Sequence, residues 1–217
     1  MRLLLVRHGQ TPSNVIGALD TATPGPGLTE LGLEQAAALP EALAHEAIDA
    51  IVVSTLVRTH LTAAPLAATR QLEPIVRAGI REIEAGDLEM RNDRDGVMAY
   101  LKAFRSWADG DFDARIPGAE NGVEAFERFD AVVREFSYLD NLVIVSHGAM
   151  IRYWVARASS NVDAEFVGEN PLSNTAVVAL TGTPEEGWFV ESWTGTPVGG
   201  AAVTDMAADG PAADVVA

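Results

Sequence analysis

The sequence predicts an α/β fold, a three-layer α/β/α sandwich with a mostly parallel central sheet and a helical cap insertion. Three observations carry this. Leu3-Leu4-Leu5-Val6 is an uninterrupted apolar run that stops at Arg7-His8-Gly9, and a run without polar alternation marks a strand buried on both faces. Leu142-Val143-Ile144-Val145 repeats the pattern and stops at Ser146-His147-Gly148. Segments of helical character separate the apolar runs, and strands alternating with helices build parallel sheets.

The first strand spans 2–6. The loop after it holds Gly17, Pro24, Gly25, Pro26 and Gly27, too many breakers for a helix. Thr29 then caps a helix over 30–46, which Pro40 should kink or shorten. Ile48 to Val53 reads as the second strand, with Ser54 and Thr55 at its end and a helix over 56–70. Glu73 to Val76 is a short third strand. The segment 91–120 is the least regular; only Val97 to Trp107 has helical character, and an excursion of this kind between core elements can supply a substrate-facing cap. Asn121-Gly122-Val123-Glu124 has capping-box spacing and opens a helix to Tyr138. A strand over 142–146, a helix over 148–159 and two strands at 176–180 and 188–193 complete the domain.

At 217 residues the chain is long enough for one α/β domain with a substantial core, and no shift in composition asks for two. The domain is expected over 1–196, and 197–217 is expected to be a disordered tail, because Gly, Ala and Asp recur there without periodicity. The formal charge of −16 argues against nucleic acid as a partner. It does not exclude a phosphate pocket, since a few cations in a cleft outweigh screened distant charges. No cysteine is present, so neither a disulfide nor a thiolate metal site is available. No apolar stretch approaches the roughly 20 residues that span a bilayer. Met1 to Arg7 resembles a leader only superficially, its apolar part being too short, so a cytoplasmic location is expected.

If the two His-Gly strands are parallel neighbours, His8 and His147 meet at the sheet rim, where open α/β sheets bind ligands. Arg7-His8-Gly9-Gln10-Thr11 resembles the signature of the histidine phosphatase superfamily, the phosphoglycerate-mutase-like proteins. Ser54-Thr55-Leu56-Val57-Arg58-Thr59 is similar to that family's second-strand arginine motif, Arg81-Glu82-Ile83-Glu84-Ala85-Gly86-Asp87 to its acid motif, and Ser146-His147-Gly148 to its second histidine. The four motifs stand in the family's order over residues 1 to 180.

The resemblance implies phosphoryl transfer with His8 as nucleophile, its second ring nitrogen donating to a backbone carbonyl. Arg7 and Arg58 would clamp phosphoryl oxygens through forked hydrogen bonds. His147 beside a dianion would have a raised pKa and act as a cationic donor. Gly9 and Gly148 would let the backbone approach the phosphate, and Asn14 aligns with a phosphate-contacting asparagine. Glu82 is the expected proton donor, four residues before Gly86 as the family pattern has it; Glu84 is its competitor. His8 and His147 could bind a metal, but no acidic ligands stand at the two strand ends to complete a site, so no metal and no cofactor is expected.

The stretch Ile83 to Glu89 carries three carboxylates and no cation, whereas the mutase branch has basic and tyrosine residues there. A phosphatase acting on a small-molecule phosphate ester is therefore expected, with a phosphoglycerate mutase as the alternative and a catalytically silent phosphate-binding protein as the third reading. Met98, Tyr100, Phe104, Trp107 and Phe112 offer an apolar wall for the substrate's organic part, or simply pack the cap onto the core. The resemblance also allows a homodimer through an exposed sheet edge.

Overall fold

In the computed structural model, residues 1–205 and Gly210 are described. Six strands, β1 (Arg2–Arg7), β2 (Ala50–Val53), β3 (Ile75–Val76), β4 (Asn141–Ser146), β5 (Val177–Thr183) and β6 (Gly187–Trp193), form one sheet in the order β3-β2-β4-β1-β5-β6. The four central and left-hand strands run parallel; β5 lies antiparallel to β1, and β6 antiparallel to β5. Among the described residues no helix is long and apolar enough to cross a membrane.

The continuous apolar runs have a direct physical reason. Successive side chains of a strand point to opposite faces, and here each face is covered. Leu3, Leu5, Val52 and Ile144 pack into one core with α5 (Gly122–Glu135) and α6 (Gly148–Ala158). Leu4, Val6, Ile51, Val53, Val143 and Val145 pack into the other with α2 (Glu30–Ala42) and α3 (Val57–Arg70). That is the three-layer arrangement. The cap helix α4 (Arg94–Ala108) joins the first core through Tyr100, Ala103 and Trp107.

Most boundaries move by a few residues from those expected. α2 ends at Ala42, two residues after Pro40, rather than at 46. α4 begins at Arg94 because Asp93 caps it, its carboxylate accepting from the Gly96 N–H at 3.0 Å. Two expectations are corrected. The loop after β1 contains a one-turn helix, α1 (Pro12–Val15), closed by a reciprocal Thr11/Asn14 cap. The tail expected to be disordered from 197 instead forms a 3₁₀ turn over Gly200–Val203 that buries Val203 and accepts the Gln35 side-chain amide at 2.9 Å; the rest of that expectation, 206–209 and 211–217, lies outside the described residues. A further short helix, α7 (Ala164–Glu169), follows α6.

The loop after β1 is pressed against the first turn of α2. A methyl on Gly32 would sit 2.2 Å from the Gln10 carbonyl oxygen, and one on Gly9 2.7 Å from the Gly32 carbonyl oxygen. Gly32→Ala therefore lowers stability by about 1–3 kcal/mol in spite of alanine's better helix propensity. Thermal denaturation should show the melting point falling by several degrees, and an unchanged or raised Tm would contradict the clash.

Candidate active site

The register of β1 and β4 pairs Arg7 with Ser146, so the next residues, His8 and His147, leave the sheet side by side. Their ring centroids are 5.2 Å apart. The His8 N–H continues the ladder to the Ser146 carbonyl at 3.0 Å. β2, on the other side of β4, delivers Ser54 and, one helical turn on, Arg58. The segment after β3 brings Glu82, which with His8, Asn14, Asp20, Arg58 and Tyr100 lines a cleft of about 40 Å³.

His8 is buried, and its Nδ1 lies 2.8 Å from the carbonyl oxygen of Gly9. A carbonyl can only accept, so Nδ1 carries the proton and Nε2 keeps its lone pair. Burial, then Arg58 and Arg7, holds this imidazole well below the usual range, against the opposing Gly9 carbonyl. His8 is thus neutral at neutral pH. Its backbone is pinned too: the Asn174 side-chain amide donates to the His8 carbonyl at 2.9 Å, and the Gly9 N–H donates to Thr62 Oγ1 at 2.9 Å.

In the protein alone, burial, followed by Arg58 and His8, lowers the pKa of His147 well below the usual value; the rise expected from the sequence concerns the state with a dianion bound. Arg58 Nε donates to Nδ1 at 3.3 Å, which leaves the proton on Nε2 to be donated to Ser54 Oγ at 2.8 Å. Ser54 Oγ lies 3.1 Å from Thr59 Oγ1, whose own hydroxyl donates to the Leu56 carbonyl. The hydroxyl pair fixes the imidazole as a neutral tautomer.

Glu82 is 6 % exposed. Its carboxylate accepts from the N–H groups of Ile83 and Met150 at 2.9 Å each and of Ala149 at 3.2 Å. Burial raises its pKa, and these bonds together with Arg58 offset the rise only in part. Glu84, the competitor, points outward and pairs with Arg81 at 2.7 Å. Arg128 holds the loop that carries Glu82: it donates to the carbonyls of Gly79, Arg81 and Glu82 while its guanidinium is paired with buried Glu120 at 2.6 Å.

Arg58 is 3 % exposed, and its Nη2 donates to the Asp20 carbonyl at 2.9 Å. Its Nη1 is buried without a hydrogen-bond partner, 3.8 Å from the nearer Asp20 carboxylate oxygen. A buried guanidinium N–H left open at a cleft is the feature an anion would satisfy. Arg7 is deeper, 1 % exposed, and donates Nη1 to the Leu172 carbonyl at 2.7 Å. Asn14 sits on the cleft wall with its Oδ1 accepting the Thr11 N–H at 3.0 Å. Gly9 faces α2 rather than the cleft, and Gly148 opens α6 behind His147.

Ser54, Asp20, Thr62, Asn174, Glu120 and Arg128 were not singled out from the sequence as site residues. Ser54 and Glu120 stand inside segments the sequence does mark; the others have no local signal, since each meets the site through a distant contact. Ser146, at the strand end, donates to the Ile80 carbonyl at 2.8 Å, and His60 Nε2 donates to the Ser54 carbonyl at 2.8 Å, away from the cleft. Among the described residues no three His, Asp or Glu side chains are grouped to hold a metal ion.

Residues 3–196 match the profile of the histidine phosphatase superfamily, branch 1. The chain is 37% identical over 216 residues to the PE-PGRS family protein PE_PGRS11 of Mycobacterium tuberculosis, covering 91% of this chain and 37% of that protein's length. It is 35% identical over 161 residues to the adenosylcobalamin/alpha-ribazole phosphatase of Escherichia coli, covering 72% of this chain and 78% of that enzyme. Among solved structures, the mycobacterial glucosyl-3-phosphoglycerate phosphatase in complex with VO3 superposes with a TM-score of 0.74 at 27% identity, over 88% of this chain and 98% of that one. The ordered series of motifs, the sheet that carries them and these matches agree, and the chain belongs to the histidine phosphatase superfamily, branch 1, as a phosphatase of that family.

Proposed function

We propose that the chain hydrolyses a small-molecule phosphomonoester without a metal, through a phosphohistidine on His8. The observation that carries this reading is the state of His8: buried, neutral, with Nδ1 committed to the Gly9 carbonyl and Nε2 left as the nucleophile beside an open Arg58 Nη1. Nε2 attacks phosphorus and the ester P–O bond breaks. The proton on Glu82 goes to the leaving oxygen. Water then attacks the phosphohistidine, giving its proton to the Glu82 carboxylate, and His8 is regenerated with release of phosphate.

Arg58 and Arg7 supply the fixed positive charge that phosphoryl transfer needs, with Asn14 on the wall of the same cleft. An incoming dianion opposes the cations that hold His147 neutral, and Nδ1 is the nitrogen on which a second proton would then reside. The phosphate cleft favours hydrolysis over mutase transfer, since none of the insertion's basic residues Arg91, Arg94, Lys102 and Arg105 lines it. Arg91 pairs with Asp93 at 2.5 Å, while Arg94 and Lys102 are exposed.

Phosphate release from a panel of phosphomonoesters in EDTA, run beside a phosphoglycerate isomerisation assay, tests the reading. Release that continues in EDTA is the expected result. Loss of release restored by a divalent ion, or isomerisation without free phosphate, would overturn it.

A further inference from the structure

The cleft at His8 has room for a phosphoryl group and little else, about 40 Å³. The molecule's large cavity, about 380 Å³, lies between α4, α6 and α7. Its size is within the roughly 300–1,000 Å³ typical of small-molecule sites. Two residues stand between the spaces. Tyr100 lines both, and Ala149, on the wall of the large cavity, gives its N–H to Glu82 Oε2.

From the phosphate cleft outward, four rings follow one another. The centroids of Tyr100 and Phe104 are 5.1 Å apart, those of Phe104 and Trp107 4.8 Å, and those of Trp107 and Tyr153 4.8 Å. The Tyr100 hydroxyl is anchored on the Ile83 carbonyl at 2.9 Å, one residue from the carboxyl proposed to protonate the leaving oxygen. Arg105, Arg152, Arg157 and Asp163 also stand on the walls of the large cavity. Arg157 is held there between rings, 4.1 Å from the Phe112 centroid and 4.5 Å from that of Phe126.

We propose that this cavity receives the alcohol half of the substrate, and that the alcohol carries a flat, ring-bearing apolar group. The proposal rests on the phosphatase reading above. A ring laid against the partly exposed Phe104 and Phe112 gains both area burial and aromatic contact. The leaving oxygen, at the junction of the two spaces, then lies beside Glu82.

The test compares 2-(1-naphthyl)ethyl phosphate with ethyl phosphate, two primary-alkyl esters of similar intrinsic reactivity. In the parent protein kcat/KM should favour the naphthyl ester by at least about tenfold, the scale of a buried apolar group. In Ala156→Trp, which fills the cavity from α6, the ratio between the two esters should fall at least about tenfold. Because the readout is a ratio, a general loss of activity cancels. Calorimetric binding of both esters to His8→Ala protein supplies a measurement that needs no turnover, and there too the naphthyl ester should bind at least about tenfold tighter. Equal handling of the two esters, in turnover or in binding, overturns the proposal while leaving the phosphatase reading intact. Tight, selective naphthyl binding to a protein that releases no phosphate from either ester does the reverse.

Discussion

His8→Ala protein releases phosphate at least about 10⁴-fold more slowly than the parent, the scale seen when a covalent nucleophile is removed. The expected loss is this large because nothing nearby can take over. Ser146 is spent on the Ile80 carbonyl. His147 lies 5.2 Å away, with its Nε2 proton donated to Ser54 and its Nδ1 facing Arg58. A rapid-quench experiment on the parent should trap an acid-labile, alkali-stable phosphoenzyme, and the variant should trap none. His8→Ala should keep the parent's fold, since the ring is held mainly by one hydrogen bond to the adjoining carbonyl. Activity retained in the variant would remove His8 from the chemistry.

Glu82→Gln slows cleavage of alkyl esters by about 10²–10³-fold, in the range of general acid catalysis, and slows esters with acidic leaving groups far less. An alkoxide must be protonated as it leaves; a nitrophenolate need not be. The amide has nearly the same shape; its oxygen can still accept from Ile83 and Met150 while its NH2 loses the Ala149 bond, a cost common to both ester classes, so the difference between the classes reads the proton. Glu84→Gln, on the outward-facing neighbour, should change neither rate by more than about twofold, as surface substitutions do. The pH profile gives the sign independently. Lowering of the His8 pKa keeps the nucleophile neutral to more acidic pH than an ordinary histidine, and raising of the Glu82 pKa keeps the acid protonated to more basic pH than an ordinary carboxyl. Activity on alkyl esters should fall on the acid side as His8 gains a proton and on the alkaline side as Glu82 loses one. Glu82→Gln should abolish the alkaline limb and leave the acid limb in place. An unchanged alkaline limb would assign that proton to another group.

The two histidine strands were legible because their signal is local: a strand buried on both faces must be apolar throughout, and Leu3–Val6 and Leu142–Val145 are. Glu82 was separated from Glu84 in the sequence by its distance to Gly86, and the fold separates them by burial. What escaped was long-range. Ser54 meets His147 across 93 residues and Asn174 meets His8 across 166, and no periodicity reports such contacts. The turn at Gly200–Val203 escaped for the same reason, since Val203 is tied to the distant α2 through the Gln35 side chain.

The carboxyl of Glu82 takes two of its three hydrogen bonds from the first turn of α6, the turn that directly follows His147. Proton donor and second histidine are therefore indexed to one rigid piece of backbone, although 65 positions separate them in the chain. Any change that tilts or translates the start of α6 displaces both at once and in the same direction. The two functions cannot drift apart by small steps. Variation among substrates must then be absorbed by parts mounted elsewhere, such as the partly exposed positions of α4 that do not touch the loop of Glu82.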